Sequence, residues 1–569
     1  MAHGKVLLIG LDGGTYKILE PFAAEGLIPN LKRLMDEGAK GVLRSTVPPI
    51  SAPAWATFQT GKNPGGHGLF NFFDLSEDGY RSSHDFRKSR VVNHASIGSA
   101  TVYDYLREGN RKVISINIPL TYPTPEVDGA LVSCWLSPPG SKEYTWPREL
   151  ADEIPDYRID QDFGEGMYAI TPKGTKIDSN FLMDDLDDIL TKRADTTRHL
   201  MQSRPWDVCM VCFTETDRLH HYLWRAIDPD HPDADTEEVR TERERFKTFY
   251  RNLDAHIGKL IEAAGPDTNL IVMSDHGFDA PPQRRYRMSH WMQEQGWLVT
   301  RPDEGDTPGR EGTGATGRKK TPNPLGQVGR YLWQRLVPPS LRDQIYARVR
   351  YKPTRQVMDW EKTRAWSFGV NNNLGAICIN EKQPNGDGCV APGEETEKLT
   401  DEIEQGLRAL THPDTGAPLV REVMRREAVY DGPYLERFPH LIFILDTDFE
   451  ADFESGFNIA SQRIEAGPIY PDGRGNHRPE GIVLAAGPAI SPGEKREYGL
   501  ACIMPTVLRL VGLPVPSDVD GVVMEDYIRP DVLDRDGAGV SEPVEHRFSE
   551  PTDEDVAALQ DKLKKLGYM

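Results

Sequence analysis

The chain has 569 residues, enough for several domains or one large core with insertions, and its 38% hydrophobic and 27% charged residues exclude a disordered polymer. A formal charge of −21, from 88 acidic against 67 basic side chains, excludes a broad nucleic-acid groove. No run reaches the roughly 20 apolar residues that span a bilayer, the six cysteines are too scattered for a disulfide framework, and the chain enters an apolar run at residue 6 with no room for a signal peptide. These features predict a cytoplasmic protein with no nucleic-acid polymer as partner and no membrane insertion.

In chain order, residues 6–9 are the first apolar, β-branched run and predict a strand, closed by Gly10-Leu-Asp12-Gly-Gly14. Helical periodicity follows at 28–37 and 100–108, then a strand at 113–118 and a helix at 181–201. Residues 208–213 are wholly apolar and predict a buried strand, so Cys209 and Cys212 inside it read as core, not as half of a zinc ribbon. A long helix is expected at 237–264 and a strand at 270–273. Residues 303–326 are rich in Gly, Thr and Pro without periodicity and predict a mobile loop, with Arg318-Lys-Lys320 as its solvated part. Further strands are expected at 441–445 and 481–485, and a helix at 504–511. Strands alternating with helices indicate an α/β sheet with helices on both faces.

Ligands in such sheets collect beyond the carboxyl ends of strands. Asp12 follows the first strand, Asp217 and His221 follow the third, and Asp275 and His276 follow the fourth. Asp217 and His221 are four residues apart and share a helix face if the strand passes into a helix there, which turns His220 elsewhere. His477 lies just before the late strand. Singly, each of these reads equally well as a cap or a satisfied polar group. As a set they offer the carboxylates and imidazoles that two divalent ions about 4 Å apart require for displacement at phosphorus.

The order of motifs resembles the alkaline phosphatase superfamily, in its type I phosphodiesterase and phosphohydrolase/phosphomutase-like branch. The resemblance spans nearly the whole chain. It rests on Gly10-Leu-Asp12-Gly-Gly14, Ser51-Ala-Pro-Ala-Trp-Ala-Thr-Phe-Gln-Thr-Gly-Lys-Asn-Pro-Gly-Gly-His-Gly68, Glu215-Thr-Asp217-Arg-Leu-His-His221, Ser274-Asp-His-Gly277 and Gly475-Asn-His477, with Leu563-Lys-Lys-Leu-Gly-Tyr568 as a similar tail. It implies a three-layer α/β sandwich with a largely parallel central sheet and cap insertions. Asp12, Asp275, His276 and Ser51 would hold one ion, and Asp217, His221 and His477 the other. The ions would be zinc, with manganese served equally by these donors.

Ser51 would then be the nucleophile, activated by metal coordination and passing through a covalent phospho-enzyme. The competing view is that Ser51 merely caps the following helix, with Ser45, Thr46 and Thr57 as rival hydroxyls. His67 and Lys62 in the same motif read as structural, and Arg284, Arg285 and Arg287 as a solvated cluster.

Two departures narrow the substrate. Trp55 stands where sulfatases of the superfamily carry an Arg four residues after their modified Cys or Ser, which disfavours sulfate esters. Nucleotide pyrophosphatases place an Asn five residues after the His-Gly histidine; here Phe72 occupies that position and Asn71 precedes it, so Asn71 is the substrate-binding candidate after a one-residue shift. The expected activity is hydrolysis of a small-molecule phosphodiester, with phosphomonoesterase, phosphomutase, sulfatase and a noncatalytic phospho-ligand-binding protein as alternatives. Residues 1–74, 95–135, 204–300 and 439–530 are expected to form the core, 75–94, 136–203 and 301–438 the cap insertions, and 531–569 a tail.

Overall fold

A computed structural model describes residues 4–73, 91–141, 143–160, 168–171, 174–302, 356–383, 388–451, 464–465, 473–533 and 539–565. The expected loop at 303–326 and most of the expected insertion at 75–94 lie outside the described residues.

A ten-stranded sheet forms the centre, ordered Gly493–Glu494, Ala39–Arg44, Glu480–Ala486, Thr268–Met273, Lys5–Leu11, Val208–Phe213, Val113–Ile116, Gly129–Val132 and Thr145–Trp146, with Tyr498–Gly499 also on Ala39–Arg44. The middle strands are parallel: Lys5–Leu11 lies between Val208–Phe213 and Thr268–Met273, in register Ile9 with Val211 and Val272. Glu480–Ala486 runs antiparallel to both of its neighbours. Parallel strands buried on both faces need apolar residues at every position, not alternate ones. Val208–Phe213 and Thr268–Met273 are accordingly buried throughout.

Each face carries its own core. On one side Leu7, Ile9, Val211 and Val272 pack under Ser179–Ser203 and Glu237–Ala264 through Leu186, Leu190, Phe246 and Leu253. On the other, Val6, Leu8, Met210 and Ile271 pack under Ser51–Thr60 and Ile503–Leu510 through Trp55, Phe58, Met504 and Val507. The fold is the expected mixed α/β sandwich with a mostly parallel central sheet.

Two assignments of segments change. Helix Ser179–Ser203, expected within an insertion, belongs to the layer covering the central sheet, because Leu182, Met183, Leu186 and Leu190 join that core. The strand Leu441–Leu445, expected in the core, lies in a separate four-stranded antiparallel sheet ordered Ala365–Asn371, Leu374–Ile379, Leu441–Leu445 and Val420–Arg425. One face of this second sheet packs under Glu394–Arg408 through Leu399 and Ile403. Its other face, through Val370, Leu374, Ala376 and Ile442, meets Ala52 and Ala56 of Ser51–Thr60. All ten residues of that helix are buried. All six cysteines are free, and Cys209 and Cys212 sit in the central strand as core.

Candidate metal centre and active site

Lys5–Leu11 delivers Asp12 at its carboxyl end. There Gly13 takes φ +67°, and a Cβ would meet the Phe278 ring at 2.8 Å, so the turn requires glycine. The Gly13 N–H donates to Asp275 Oδ1 at 3.2 Å, tying two strand ends together. Val208–Phe213 passes through Thr214 into the helix Glu215–Leu223, which supplies Asp217 and, one turn later, His221. Glu215 pairs with Arg193 of Ser179–Ser203, both fully buried, and Arg193 Nη2 donates to the Ile159 carbonyl at 3.1 Å. His220 faces away, with its Nε2 at 2.7 Å from the Tyr250 hydroxyl and its ring stacked on Phe246 and Tyr250. Thr268–Met273 leads to Asp275 and His276. His477 lies on the short strand Asn476–Arg478, opposite Phe278 of Gly277–Asp279.

These side chains converge. Asp12, Asp275 and His276 form one group, and Asp217, His276 and His477 a second, with ligand atoms in each within 4.8 Å of one another. His221 adjoins the second group: its Nε2 is 3.4 Å from Asp217 Oδ1 and 2.8 Å from His477 Nε2. His276 Nε2 lies 3.2 Å from Asp275 Oδ2 and 3.6 Å from Asp12 Oδ1, and its ring stacks on His477 at 3.7 Å, so it reaches both groups.

The tautomers follow from the other ring nitrogens. His276 Nδ1 donates to the Gly277 carbonyl at 3.1 Å and His477 Nδ1 to the Pro49 carbonyl at 3.0 Å, which leaves both Nε2 lone pairs facing the cluster. Asp12 Oδ1, Asp217 Oδ1 and Asp275 Oδ2 are buried there without a hydrogen-bond donor among the described residues. Burial and the neighbouring carboxylates push Asp12 well above the usual carboxylate range and Asp275 up to about 7. Burial alone raises Asp217 as well, but His221, His477 and His276 outweigh it and hold the group low. Burial, reinforced by His477, pulls His276 far below the usual imidazole value. Three carboxylates and facing imidazole lone pairs repel one another unless positive charge sits between them. The donor set therefore fits divalent ions.

Ser51 is the first residue of its helix, and the cap is Ile50 with no side-chain bond. The Ser51 hydroxyl instead lies 3.2 Å from His276 Nε2, so it does not spend itself on capping. Thr46 donates to the Pro48 carbonyl, and the Thr57 hydroxyl is 2.9 Å from His67 Nε2. His67 accepts from the Leu69 N–H at Nδ1, and burial pulls it down to about 3, as befits a neutral structural imidazole. Lys62 pairs with Asp518, Arg284 with Asp414 and Arg285 with Glu450. Asn71 is half-buried, and its Oδ1 accepts from the Phe72 N–H at 2.7 Å.

One contributor was invisible in the motifs. Trp55, noticed only as a missing Arg, is fully buried, and its indole N–H donates to Asp12 Oδ2 at 3.3 Å. A Cβ on Gly10 would meet this indole at 2.6 Å, so the Gly10 backbone is what admits it. A glycine inside a central strand, where side chains normally pack, was the available signal.

Among solved structures, phosphonoacetate hydrolase from Sinorhizobium meliloti 1021 in complex with phosphonoformate is similar at 11% identity over 90% of this chain and 95% of that chain, with a TM-score of 0.49. Human ectonucleotide pyrophosphatase/phosphodiesterase 5 is 14% identical over 92% of this chain and 100% of that chain, with a TM-score of 0.46. The murine protein is 13% identical over the same shares, with a TM-score of 0.45. No curated protein matches the sequence. Among the described residues no helix is long and apolar enough to cross a membrane. A model of the type I phosphodiesterase / nucleotide pyrophosphatase family matches residues 6–454, which is most of the chain, and the chain belongs to that family as a phosphohydrolase of the alkaline phosphatase superfamily.

Proposed function

We propose that the chain hydrolyses small-molecule phosphodiesters with Ser51 as nucleophile, on two divalent ions of the zinc or manganese type. Asp12, Asp275, His276 and Ser51 would hold one ion, and Asp217, His221 and His477 the other. The observation that carries this reading is the Ser51 hydroxyl, uncommitted to its helix cap and 3.2 Å from His276 Nε2 at the edge of the donor cluster.

The ions would supply positive charge that lowers the pKa of the Ser51 hydroxyl and offsets charge developing on the phosphoryl oxygens. Ser51 Oγ attacks phosphorus and expels the first alcohol, which leaves with the hydroxyl's proton, while the second alcohol stays on phosphorus as a phosphodiester of Ser51. Water then cleaves that ester, releasing a phosphomonoester and restoring the hydroxyl. Ser51 opens the helix Ser51–Thr60, so a phosphate at its hydroxyl would lie at the helix N-terminus, where the dipole favours negative charge. Trp55 holds Asp12 by one oxygen, so that the other is presented to the ion.

The test is turnover of aryl phosphodiester, phosphomonoester and sulfate by protein loaded with Zn²⁺ or Mn²⁺. The diester is expected to turn over fastest. Ser51→Ala is expected to abolish turnover while both ions still bind. Full activity in Ser51→Ala sinks the nucleophile, faster monoester hydrolysis sinks the diester assignment, and a chain inert to all three esters sinks the catalytic reading.

A further inference from the structure

A hairpin of the second sheet reaches the metal centre. This hairpin of Ala365–Asn371 and Leu374–Ile379 turns through three successive asparagines, and Asn372 sits at the tip with φ +49°, 2% exposed. The Asn372 side-chain amide donates to the backbone carbonyl of His477. Beside it, the Asn371 amide donates to the Pro49 carbonyl at 3.4 Å, the same oxygen that accepts from His477 Nδ1 at 3.0 Å. One carbonyl, two residues before Ser51, thus joins the hairpin, the imidazole and the approach to the nucleophile.

The strand that carries His477 is anchored on both sides of that residue: Gly475 N–H donates to the His220 carbonyl at 3.0 Å, Arg478 Nη2 to the Ala280 carbonyl at 2.8 Å and Ser45 N–H to the Pro479 carbonyl at 2.8 Å. The strand is three residues long, and its ladder partner among the described residues is Gly277–Asp279. The outward N–H of His477 is taken by its neighbour's side chain, Asn476 Oδ1, at 2.8 Å. Its carbonyl is taken by Asn372. The hairpin tip is itself fixed from behind, since Leu445 N–H donates to the Asn373 carbonyl at 2.8 Å, Asn373 Nδ2 donates to the Leu445 carbonyl at 2.8 Å, and Ala451 N–H donates to the Asn372 carbonyl at 2.7 Å. A hairpin tip fixed from behind therefore meets a three-residue strand at its ligand residue.

We infer that Asn372 is a positioning residue of the metal centre: through the His477 carbonyl it sets where the His477 imidazole stands, and so governs the affinity of one of the two ions. The inference rests on the two-ion reading above. Groups that orient a metal ligand are worth about 10–100-fold in metal affinity when removed. An amide gripping the ligand's own backbone belongs to that class of support. Asn also suits the place sterically, because it tolerates the left-handed conformation that most side chains avoid.

The experiment is calorimetric titration of metal-free protein with Zn²⁺, comparing wild type with Asn372→Gly, which keeps the left-handed tip and loses the donor. Wild type is expected to take up two ions. Asn372→Gly is expected to bind one of them about 10–100-fold more weakly and the other unchanged, with an unaltered melting temperature in the metal-free state. Its diesterase activity should fall at limiting Zn²⁺ and return at saturating Zn²⁺, a rescue that damage to the fold does not show. Asn372→Asp, which sets a carboxylate against the His477 carbonyl, should show the same selective loss and carries the test if the glycine variant does not fold. Two unchanged affinities, or equal weakening of both, overturn the inference. A wild-type chain that takes up fewer than two ions overturns the two-ion site itself, and the inference with it.

Discussion

Replacing Asp275 with Asn should make the metal-free protein more stable at neutral pH and the metal-loaded protein less stable. Asp275 is fully buried beside other carboxylates, which pushes it up from an unfolded value of 3.8 to about 7. An acid held above its unfolded value keeps its full contribution to stability below about pH 4, loses it as the pH climbs towards 7, and loses no more beyond. About three pKa units at 1.36 kcal/mol each give a loss of roughly 4 kcal/mol across that window. With an unfolding entropy of about 2.1 cal/mol/K per residue, a chain of this length changes its melting temperature by roughly 3 °C for that loss. Asp275→Asn removes the penalty, so its metal-free melting temperature should match wild type near pH 4 and exceed it by about 3 °C at pH 8. Adding Zn²⁺ reverses the order. Wild type gains about 2.7 kcal/mol at a free ion concentration one hundred times the dissociation constant, whereas the amide offers the ion no charge. The assay is thermal unfolding from pH 4 to 8 with chelator and with Zn²⁺. Curves for the two chains that stay parallel across that range, or a variant that Zn²⁺ stabilises as much as wild type, would refute the reasoning.

Trp55→Phe removes the indole donor from Asp12 but keeps an aromatic ring in the core, and should weaken one ion by about tenfold; calorimetry giving wild-type affinity for both ions would show that the hydrogen bond has no such role. Arg193→Met leaves the Glu215 carboxylate buried without its partner, two residues before Asp217, at a cost of about 3–5 kcal/mol. That predicts a melting temperature lower by roughly 3–4 °C, and an unchanged value would mean that Glu215 is carried neutral without penalty.

The parts of the site most legible in the sequence are those placed by backbone geometry. Asp12, Asp217 and Asp275 each stand just past an apolar strand, so the strands announce them. Helix Glu237–Ala264 is readable because its apolar stripe runs unbroken from Val239 to Leu260. What stayed hidden depends on contacts distant in the chain. Leu441–Leu445 reads as a strand, but no periodicity says which sheet it enters. Ser179–Ser203 falls inside the segment 136–203, which reads as a cap insertion, and only its packing shows that it covers the central sheet. Trp55 read as an Arg that was absent, not as a donor to Asp12, because a hydrogen bond across 43 residues leaves no local pattern. Three asparagines in a row signal a turn and nothing about the histidine they reach.

The helix Ser51–Thr60 has no exposed face. Trp55 and Phe58 belong to the core beneath the central sheet, while Ala52 and Ala56 belong to the core shared with the second sheet. For the proposed Ser51 nucleophile, such a party wall makes its neighbour's architecture a chemical variable. An engineer who transplants the second sheet from another family member would also be resetting the wall: a donor that does not fit the small Ala52 and Ala56 face is expected to tilt Ser51 and change turnover. Grafts that carry Ser51–Thr60 together with the insertion are the ones expected to keep turnover.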